Sequence, residues 1–277
     1  MSVFAASPRM VQLFSERTKE LKMLRVGKGV EGRLLLFDLG YYMFSLFERI
    51  GRNGGFFISR AKDNFNPVIT SVNATCPGRS VDIVGKRLQD VLPLLMRKSF
   101  DIECFLNIKR RVYRGQQSVV SKPFRVVGVL NEETSAYHIY ITNVPCSQLS
   151  PEDVARTYRA RWEVELLFKE LKSQYRIDEL PSAKEHIVEA LIYIAILTMT
   201  ASRLLLNAVR ARAGLSAAET PVRRWAATFK NVAQRLLVLL LDPGPRRRLW
   251  KELESYLKHE ARDPNVKRAH NIAELVA

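Results

Sequence analysis

The sequence predicts an α/β protein with a β-rich middle and a helical C-terminal part. Helical and strand-like periodicities alternate over residues 9–60, and short β-branched and aromatic runs separated by turns occupy 67–145. Helical periodicity dominates from residue 152 onwards. Of the 277 residues 47% are apolar, which is enough for a sizeable core and excludes a disordered chain.

The N-terminal alternation begins with apolar residues at helical spacing over 9–24. The run RLLLFD at 33–38 predicts a short buried strand that ends at an acidic residue. A helix is predicted for YYMFSLFERIG at 41–51, and a second strand for FFISR at 56–60. Helices that alternate with strands are typical of a sheet with parallel strands.

The middle of the chain predicts an antiparallel β region. Polar stretches such as YRGQQS and NEETS separate its strand-like runs, and LQDVLPLLM predicts one short helix among them. The strand-like runs are PVITSV, FDIECFLNI, FRVVGVL and AYHIYITNV. Pro145 and Pro151 then bracket a linker to the helical part.

Four helices are predicted after this linker. Glycine or proline stops the last three of them, at Gly214, Pro243 and Pro264. The predicted helices are 152–175, 184–211, 221–241 and 246–260.

The chain is strongly basic, with 44 lysines and arginines against 28 acidic residues and a net charge of +16. A globular protein with this charge usually meets a polyanion, which is either nucleic acid or an anionic membrane surface. The alternative is a solvated basic surface that has no specific partner.

The most apolar run, at 190–201, has only twelve residues and is flanked by Glu189 and Arg203. This is too short to span a bilayer, so we expect a buried core helix and no membrane association. The N-terminus MSVFAASPRM does not have the pattern of a secretory signal. Three scattered cysteines form no metal or disulfide framework, so we expect a cytoplasmic protein.

Asp38 stands at the end of the first predicted strand. Ligand sites in parallel sheets gather at the carboxyl ends of strands, which makes this residue a candidate for a functional site. The alternative is that Asp38 caps the helix that starts near Tyr41. Without further information the cap is the simpler explanation.

The stretch YRARWEVELLFKELK, residues 158–172, predicts one amphipathic helix with an unusual polar stripe. At about 100° per residue, four polar side chains fall within a narrow stripe beside the apolar face: Tyr158, Arg161, Glu165 and Lys172. The apolar face is predicted to carry Ala160, Val164, Leu167, Phe168 and Leu171. The solvent face is predicted to carry Arg156, Arg159, Glu163 and Glu170.

A carboxylate at the border of the core, such as Glu165, can be held rigidly and still reach a ligand. The alternative for Arg161 and Glu165 is an ordinary surface pair four residues apart, which contributes only a few tenths of a kcal/mol. The residues alone leave both explanations open.

The spacing Tyr158-x2-Arg161-x3-Glu165-x6-Lys172 resembles the signature of bacterial insertion-sequence D-D-E transposases of the IS-four type. The segments YITNVP and RWEVELLFKELKS are also similar to sequences of this family. The segment 34–60 resembles the second-aspartate block of this family, in which a strand ends in Asp-x-Gly-aromatic. The resemblance covers residues 30–210, which is most of the chain.

The resemblance implies a ribonuclease-H-like core in which two aspartates and one glutamate hold two divalent ions, Mg²⁺ or Mn²⁺. By this match Asp38 is the second catalytic aspartate and Glu165 is the catalytic glutamate, and both are metal ligands. Tyr158, Arg161 and Lys172 would face the transposon-end DNA. The implied reaction is strand cleavage followed by transfer into target DNA, by a dimer assembled on the DNA.

The resemblance also implies a division of the chain. The first part of the catalytic core is followed by a β-rich insertion, by the core completion with the glutamate helix, and by a C-terminal helical region. The corresponding residues are 1–66, 67–145, 146–215 and 216–277.

One feature departs from the family pattern. The family has its first catalytic aspartate on a strand upstream of the second, whereas Asp38 is the first aspartate of this sequence. We therefore expect an N-terminally truncated copy whose site lacks one carboxylate and whose cleavage is weak or absent. The alternative function is a truncated, non-catalytic DNA-binding transposase that regulates or inhibits transposition. A third alternative is another nuclease on the same core.

Overall fold

The structure is a computed structural model that describes residues 24, 26–73, 82–95, 97–109, 115–241 and 246–264. The helix predicted over 9–24 lies outside these residues except for Leu24. The described residues divide into two compact units at the boundary between Trp162 and Glu163. We call the described residues up to Trp162 the N-terminal unit and those from Glu163 onwards the C-terminal unit.

The N-terminal unit is built on one six-stranded sheet in the order β1-β2-β6-β5-β4-β3. Strands β1 and β2 are parallel, and all other neighbours are antiparallel. The α/β class, the parallel start and the antiparallel middle are therefore confirmed. The strands are β1 Leu34–Phe37, β2 Phe56–Arg60, β3 Ile69–Val72, β4 Ser99–Lys109, β5 Val119–Asn131 and β6 Ala136–Thr142.

Helices of the N-terminal unit pack on both faces of the sheet. The helices are α1 Phe44–Arg52, the single turn α2 Leu88–Val91, and α3 Pro151–Arg159. Successive residues of a strand point to opposite faces. Phe57 of β2 accordingly stacks on Phe47 of α1 with ring centroids 4.4 Å apart, while Ile58 packs in a second cluster with Val154 of α3.

The start of α3 is fixed by a local cap and by a buried ion pair. The Ser150 hydroxyl accepts the Asp153 N–H at 3.1 Å, and Pro151 takes the first helical position. The buried guanidinium of Arg125 donates to the Asp101 carboxylate at 2.6 Å, and also to the carbonyls of Val144 and Leu149 at 2.9 and 2.8 Å. One side chain of β5 thus ties the segment between β6 and α3 to the sheet.

The described part of the C-terminal unit is helical. Its core surrounds the buried Trp225, whose indole N–H donates to the Ser202 hydroxyl at 2.9 Å. Gly214, with φ +63°, ends α5 in the left-handed conformation, as the sequence predicts. The helices are α4 Trp162–Tyr175, α5 Glu185–Ala213, α6 Val222–Leu241 and α7 Arg246–Glu260.

The single helix predicted over 152–175 is wrong, because the chain forms two helices there. The first ends at Arg159 and the second begins at Trp162. The amides of Ala160 and Arg161 bond to carbonyls three residues back, at 3.1 and 2.9 Å, so the α-helical ladder is interrupted at this point. The prediction that Tyr158, Arg161, Glu165 and Lys172 form one stripe on a continuous helix is therefore wrong.

The buried core helix predicted for the apolar run 190–201 is also wrong. This run lies in α5, a 29-residue helix that is long and apolar enough to cross a membrane, by length and composition alone. Only 17% of its most apolar stretch is buried. Its apolar residues occupy two faces, and among the described residues of the C-terminal unit one of these faces is packed and the other is exposed.

Candidate functional site

Asp38 immediately follows β1, and its side chain is 58% exposed. Its Oδ1 accepts the N–H of Leu39 at 2.7 Å and caps a turn of 3₁₀ helix, Leu39–Tyr41. Asp38 therefore stands at the carboxyl end of a strand, as expected, but it caps this 3₁₀ turn and not α1, which begins at Phe44. The cap bond uses one carboxylate oxygen.

Arg161 brings Asp38 and Tyr158 together in the N-terminal unit. Its Nη1 lies 3.6 Å from Asp38 Oδ2, and the guanidinium carbon lies 5.8 Å from the centroid of the Tyr158 ring. Three of the five predicted site residues thus form one cluster. The break between α3 and α4 puts Arg161 at this position, because Arg161 stands in the turn between the helices.

The cluster borders a cleft of about 820 Å³, which we call the β6–α3 cleft. Strand β6 contributes His138 and Tyr140, and the tilted rings of Tyr140 and Tyr158 are 5.2 Å apart. Two glutamates of the β5–β6 turn also line the cleft. The aromatic and basic lining is Arg60, His138, Tyr140, Tyr158, Arg159, Arg161 and Trp162, and the acidic lining is Glu132 and Glu133.

Arg60 and Arg159 place positive charge beside His138 in the β6–α3 cleft. The pKa of His138 is lowered by burial first, and then by the positive charges of Arg60 and Arg159. The neutral form of the imidazole is therefore favoured over the protonated form. Burial raises the pKa of the Tyr158 hydroxyl, while the nearby charge of Arg161 opposes this effect. The tyrosine thus remains a neutral hydrogen-bonding and stacking group among cations.

Glu165 and Lys172 lie together on α4 in the C-terminal unit. Both line a second cleft of about 690 Å³, which we call the α4 cleft. They are seven residues apart, which places them on the same side of a helix. Glu165 is exposed. The remaining lining is Phe168, Lys169, Ser173, Arg176, Asp178 and Glu179.

Several faces predicted around the glutamate are wrong, since the helix break changes the phase of the pattern. Arg159 lines the β6–α3 cleft although the sequence put it on the solvent face. Glu170, also predicted to be solvated, is buried and paired with Arg203. Burial raises the pKa of Glu170, and the charge of Arg203 opposes this shift. Phe168, predicted to lie in the core, is 53% exposed.

Sequence reasoning missed Arg60, His138 and Trp162 as cleft residues. A basic residue at the end of the second strand was the available signal for Arg60. His138 and Tyr140 alternate along β6 and therefore share a face of the sheet. No local pattern brings these strands next to α3, so the cleft itself could not be read from spacing.

The described residues contain no group of three or more His, Cys, Asp or Glu side chains that could hold a metal ion. Asp38 fits a hard divalent cation by donor type, because carboxylate oxygens are the ligands that Mg²⁺ prefers. One of its oxygens accepts a backbone N–H, and the other faces Arg161. A complete three-carboxylate site is therefore not formed among the described residues.

Comparison with known proteins gives a family match over most of the chain. Residues 7–201 match the family described as "Transposase DDE domain". The transposase for insertion sequence element IS231F of Bacillus thuringiensis subsp. israelensis is 24% identical over 187 residues, which are 58% of this chain and 39% of that protein. The transposase for insertion sequence element IS1151 of Clostridium perfringens is 22% identical over 208 residues, 63% of this chain and 42% of that protein.

A shorter match is more similar. The putative transposase InsL for insertion sequence element IS186A of Escherichia coli (strain K12) is 36% identical over 73 residues, 26% of this chain and 20% of that protein. The chain thus spans less than half the length of each of these relatives.

Proposed function

The chain belongs to the DDE transposase domain family of bacterial insertion sequences, and on this premise we propose that it acts in metal-dependent cleavage and strand transfer at insertion-sequence ends. The observation that supports this proposal best is the β6–α3 cleft beside Asp38. It joins cations that can neutralise phosphates to aromatic rings that can stack on bases.

DNA is the proposed partner of the β6–α3 cleft. Arg60, Arg159 and Arg161 would contact phosphates, and Tyr158 and Trp162 would stack on or hydrogen-bond to nucleotides near the transposon end. Lys172, in the α4 cleft, would contact the phosphate backbone of the same DNA. The net charge of +16 favours such binding over the whole surface.

Asp38 and Glu165 are the proposed catalytic carboxylates. Members of this family generally use divalent metal ions, and we propose that both side chains are ligands of Mg²⁺ or Mn²⁺. Bound ions would supply positive charge to the oxygens that enter and leave at phosphorus. In this proposal Arg161 holds the Asp38 side chain until DNA and metal arrive.

The finer architecture is part of the same proposal. The fold would be a ribonuclease-H-like core with 67–145 inserted between Asp38 and the glutamate helix, completed by 146–215 and followed by the helical region 216–277. We further propose a cytoplasmic protein that acts as a dimer on DNA and does not act at a membrane.

A second candidate function is DNA binding without chemistry, in a regulator or inhibitor of transposition. The observation that favours it is the pairing of Asp38 with Arg161, which places a positive charge where a metal ion would bind. An assay of DNA nicking with Mg²⁺ or Mn²⁺ separates the two candidates. Metal-dependent product supports catalysis, whereas tight binding without product supports the regulator.

Arg161→Gln is expected to weaken binding to a duplex that carries the end of the encoding insertion sequence. Loss of one phosphate contact should lower the slope of log K against log salt concentration by about 1. Fluorescence anisotropy at several salt concentrations measures this slope.

Arg52→Gln is the matched control for this experiment. Arg52 is an exposed arginine of α1 that pairs with Glu48, outside both clefts. Its substitution should leave the slope close to that of the wild-type chain. Equal slopes for the wild-type chain and Arg161→Gln would contradict the assignment of the β6–α3 cleft to DNA.

A further inference from the structure

An exposed apolar stripe runs along α5. The residues of this stripe follow one another at intervals of alternately four and three positions, and each of them is exposed. The three large side chains are Ile194, Leu197 and Leu204, with exposed fractions of 57%, 68% and 66%. We call this stripe the α5 seam, and it consists of Ala190, Ile194, Leu197, Ala201, Leu204, Ala208 and Ala211.

The opposite face of α5 is packed against other helices of the C-terminal unit. Met199 and Leu206 are buried in two hydrophobic clusters, and Ser202 accepts a hydrogen bond from Trp225. Arg203 forms a buried ion pair with Glu170 of α4. A helix that carries this ion pair on one side does not suit a lipid-exposed span, so the apolar content of α5 indicates a protein partner.

The spacing of the α5 seam is that of a coiled coil. An average period of 3.5 residues keeps one narrow stripe facing a second helix, whereas a helix packed on a broad core shows a wider apolar face. We propose that the α5 seam binds the α5 seam of a second copy of this chain, in antiparallel orientation and without DNA.

The α5 seam is sterically complementary to itself when the helices run antiparallel around Met199. In that register Ile194 meets the partner's Leu204, and Leu197 meets the partner's Ala201. Ala190 meets the partner's Ala208 near each end, so the helices can approach closely there, and Ala211 faces the partner's Ile187. Each contact occurs twice by the two-fold symmetry, as in other isologous dimers.

Charge favours the antiparallel orientation as well. The first turns of α5 carry Glu185 and Glu189, and the last turns carry Arg210 and Arg212. Antiparallel pairing brings each acidic end to a basic end and opposes the two helix dipoles, while parallel pairing would bring like charges together. Arg212 also lies 3.7 Å from Glu254 of its own chain, but this pair is largely exposed.

The size of the α5 seam predicts a reversible dimer. From Ala190 to Ala211 the seam is about 32 Å long at 1.5 Å per residue, and a helix is about 10 Å wide. Such a strip covers roughly 300 Å² per partner, whereas standard specific interfaces bury about 800 Å² per partner, so the dimer should be weak and transient. We therefore expect a dissociation constant on the order of 10⁻⁴ M.

Sedimentation velocity of the full chain without DNA tests the proposal, from about 1 to 100 μM. The wild-type chain is expected to shift from monomer to dimer, and Leu197→Glu is expected to remain monomeric because two charges would be buried at the contact. Leu240→Glu is the control, since Leu240 is 76% exposed on α6 and outside the seam. It should dimerise like the wild-type chain.

Cysteine pairing tests the orientation even if Leu197→Glu folds poorly. In a chain with Cys76 and Cys146 replaced by serine, Leu197→Cys should cross-link to Ala201→Cys on a second chain, and much less to itself. Preferential Leu197→Cys self-linking would indicate a parallel pair and would overturn the proposal. A wild-type monomer at every concentration, a dimer that Leu197→Glu leaves intact, or binding to lipid vesicles in place of dimerisation would also overturn it.

Discussion

Glu165→Gln is expected to lower metal-dependent cleavage of insertion-sequence ends by more than about 10²-fold, while DNA affinity changes little. Glutamine keeps the size of the side chain but removes the negative charge that a divalent cation requires. Removing a residue that only hydrogen-bonds to a metal ligand lowers metal affinity or activity by about 10- to 100-fold. Removing a ligand itself should lower the activity further. A nicking assay with Mg²⁺ or Mn²⁺ and a mobility-shift assay measure the two quantities.

Glu163→Gln is the matched control, because Glu163 lies on the same helix and its substitution makes the same charge change. Glu163 does not line the α4 cleft. This variant should cleave and bind like the wild-type chain. Cleavage by Glu165→Gln at the wild-type rate would contradict the metal role of Glu165, as would an equal loss in both variants.

Arg125→Ala is expected to destabilise the N-terminal unit by about 3–5 kcal/mol. The substitution leaves the Asp101 carboxylate buried without a counter-charge, and it removes donors from the carbonyls of Val144 and Leu149. Urea unfolding monitored by circular dichroism measures the change. The released segment leads into α3, so the arrangement of Tyr158 in the β6–α3 cleft should loosen as well.

Two comparisons isolate the buried pair. Arg156→Ala removes an exposed pair with Asp153 at 3.2 Å, which should cost at most about 1 kcal/mol. Replacing Arg125 and Asp101 together by Met and Leu should recover much of the lost stability, because no charge is then left unpaired. Stability of Arg125→Ala within about 1 kcal/mol of the wild-type chain would contradict this account.

Local periodicity predicted most of the elements. The strands came from β-branched and aromatic runs, and the bounds of α5, α6 and α7 lie within two residues of those predicted. The break before Trp162 could not be predicted, because neither glycine nor proline marks it. Arg161 at this break contacts Asp38, which is 123 positions earlier in the chain, and no sequence window contains such a contact.

Burial was harder to predict than secondary structure. Hydropathy identified the apolar run of α5. It could not predict which of the two apolar faces of this helix packs against other described residues. Glu170 was predicted to lie on the solvent face of its helix. It is buried together with Arg203, and the ion pair between the two side chains compensates for the loss of solvent. Such pairs depend on helix packing and leave no local signal.

The candidate site was predicted in part. Asp38 was predicted from its position after a strand, and the other site residues from the resemblance of the 158–172 segment. In the fold, Asp38, Tyr158 and Arg161 lie together. Arg60 and His138 join them through sheet neighbours that are distant in sequence. The roles of all these residues remain predictions.

We propose that Asp38 and Glu165 are ligands of one divalent-ion site, and iron-directed cleavage of the polypeptide is the most direct test of this proposal. Fe²⁺ takes carboxylate ligands as Mg²⁺ and Mn²⁺ do, and with ascorbate and peroxide it cuts the backbone close to where it is bound. We expect cuts near residue 38 and near residue 165, and we expect both cuts to disappear in Asp38→Asn and in Glu165→Gln. Cuts near only one of the two residues, or cuts that survive both substitutions, would contradict it.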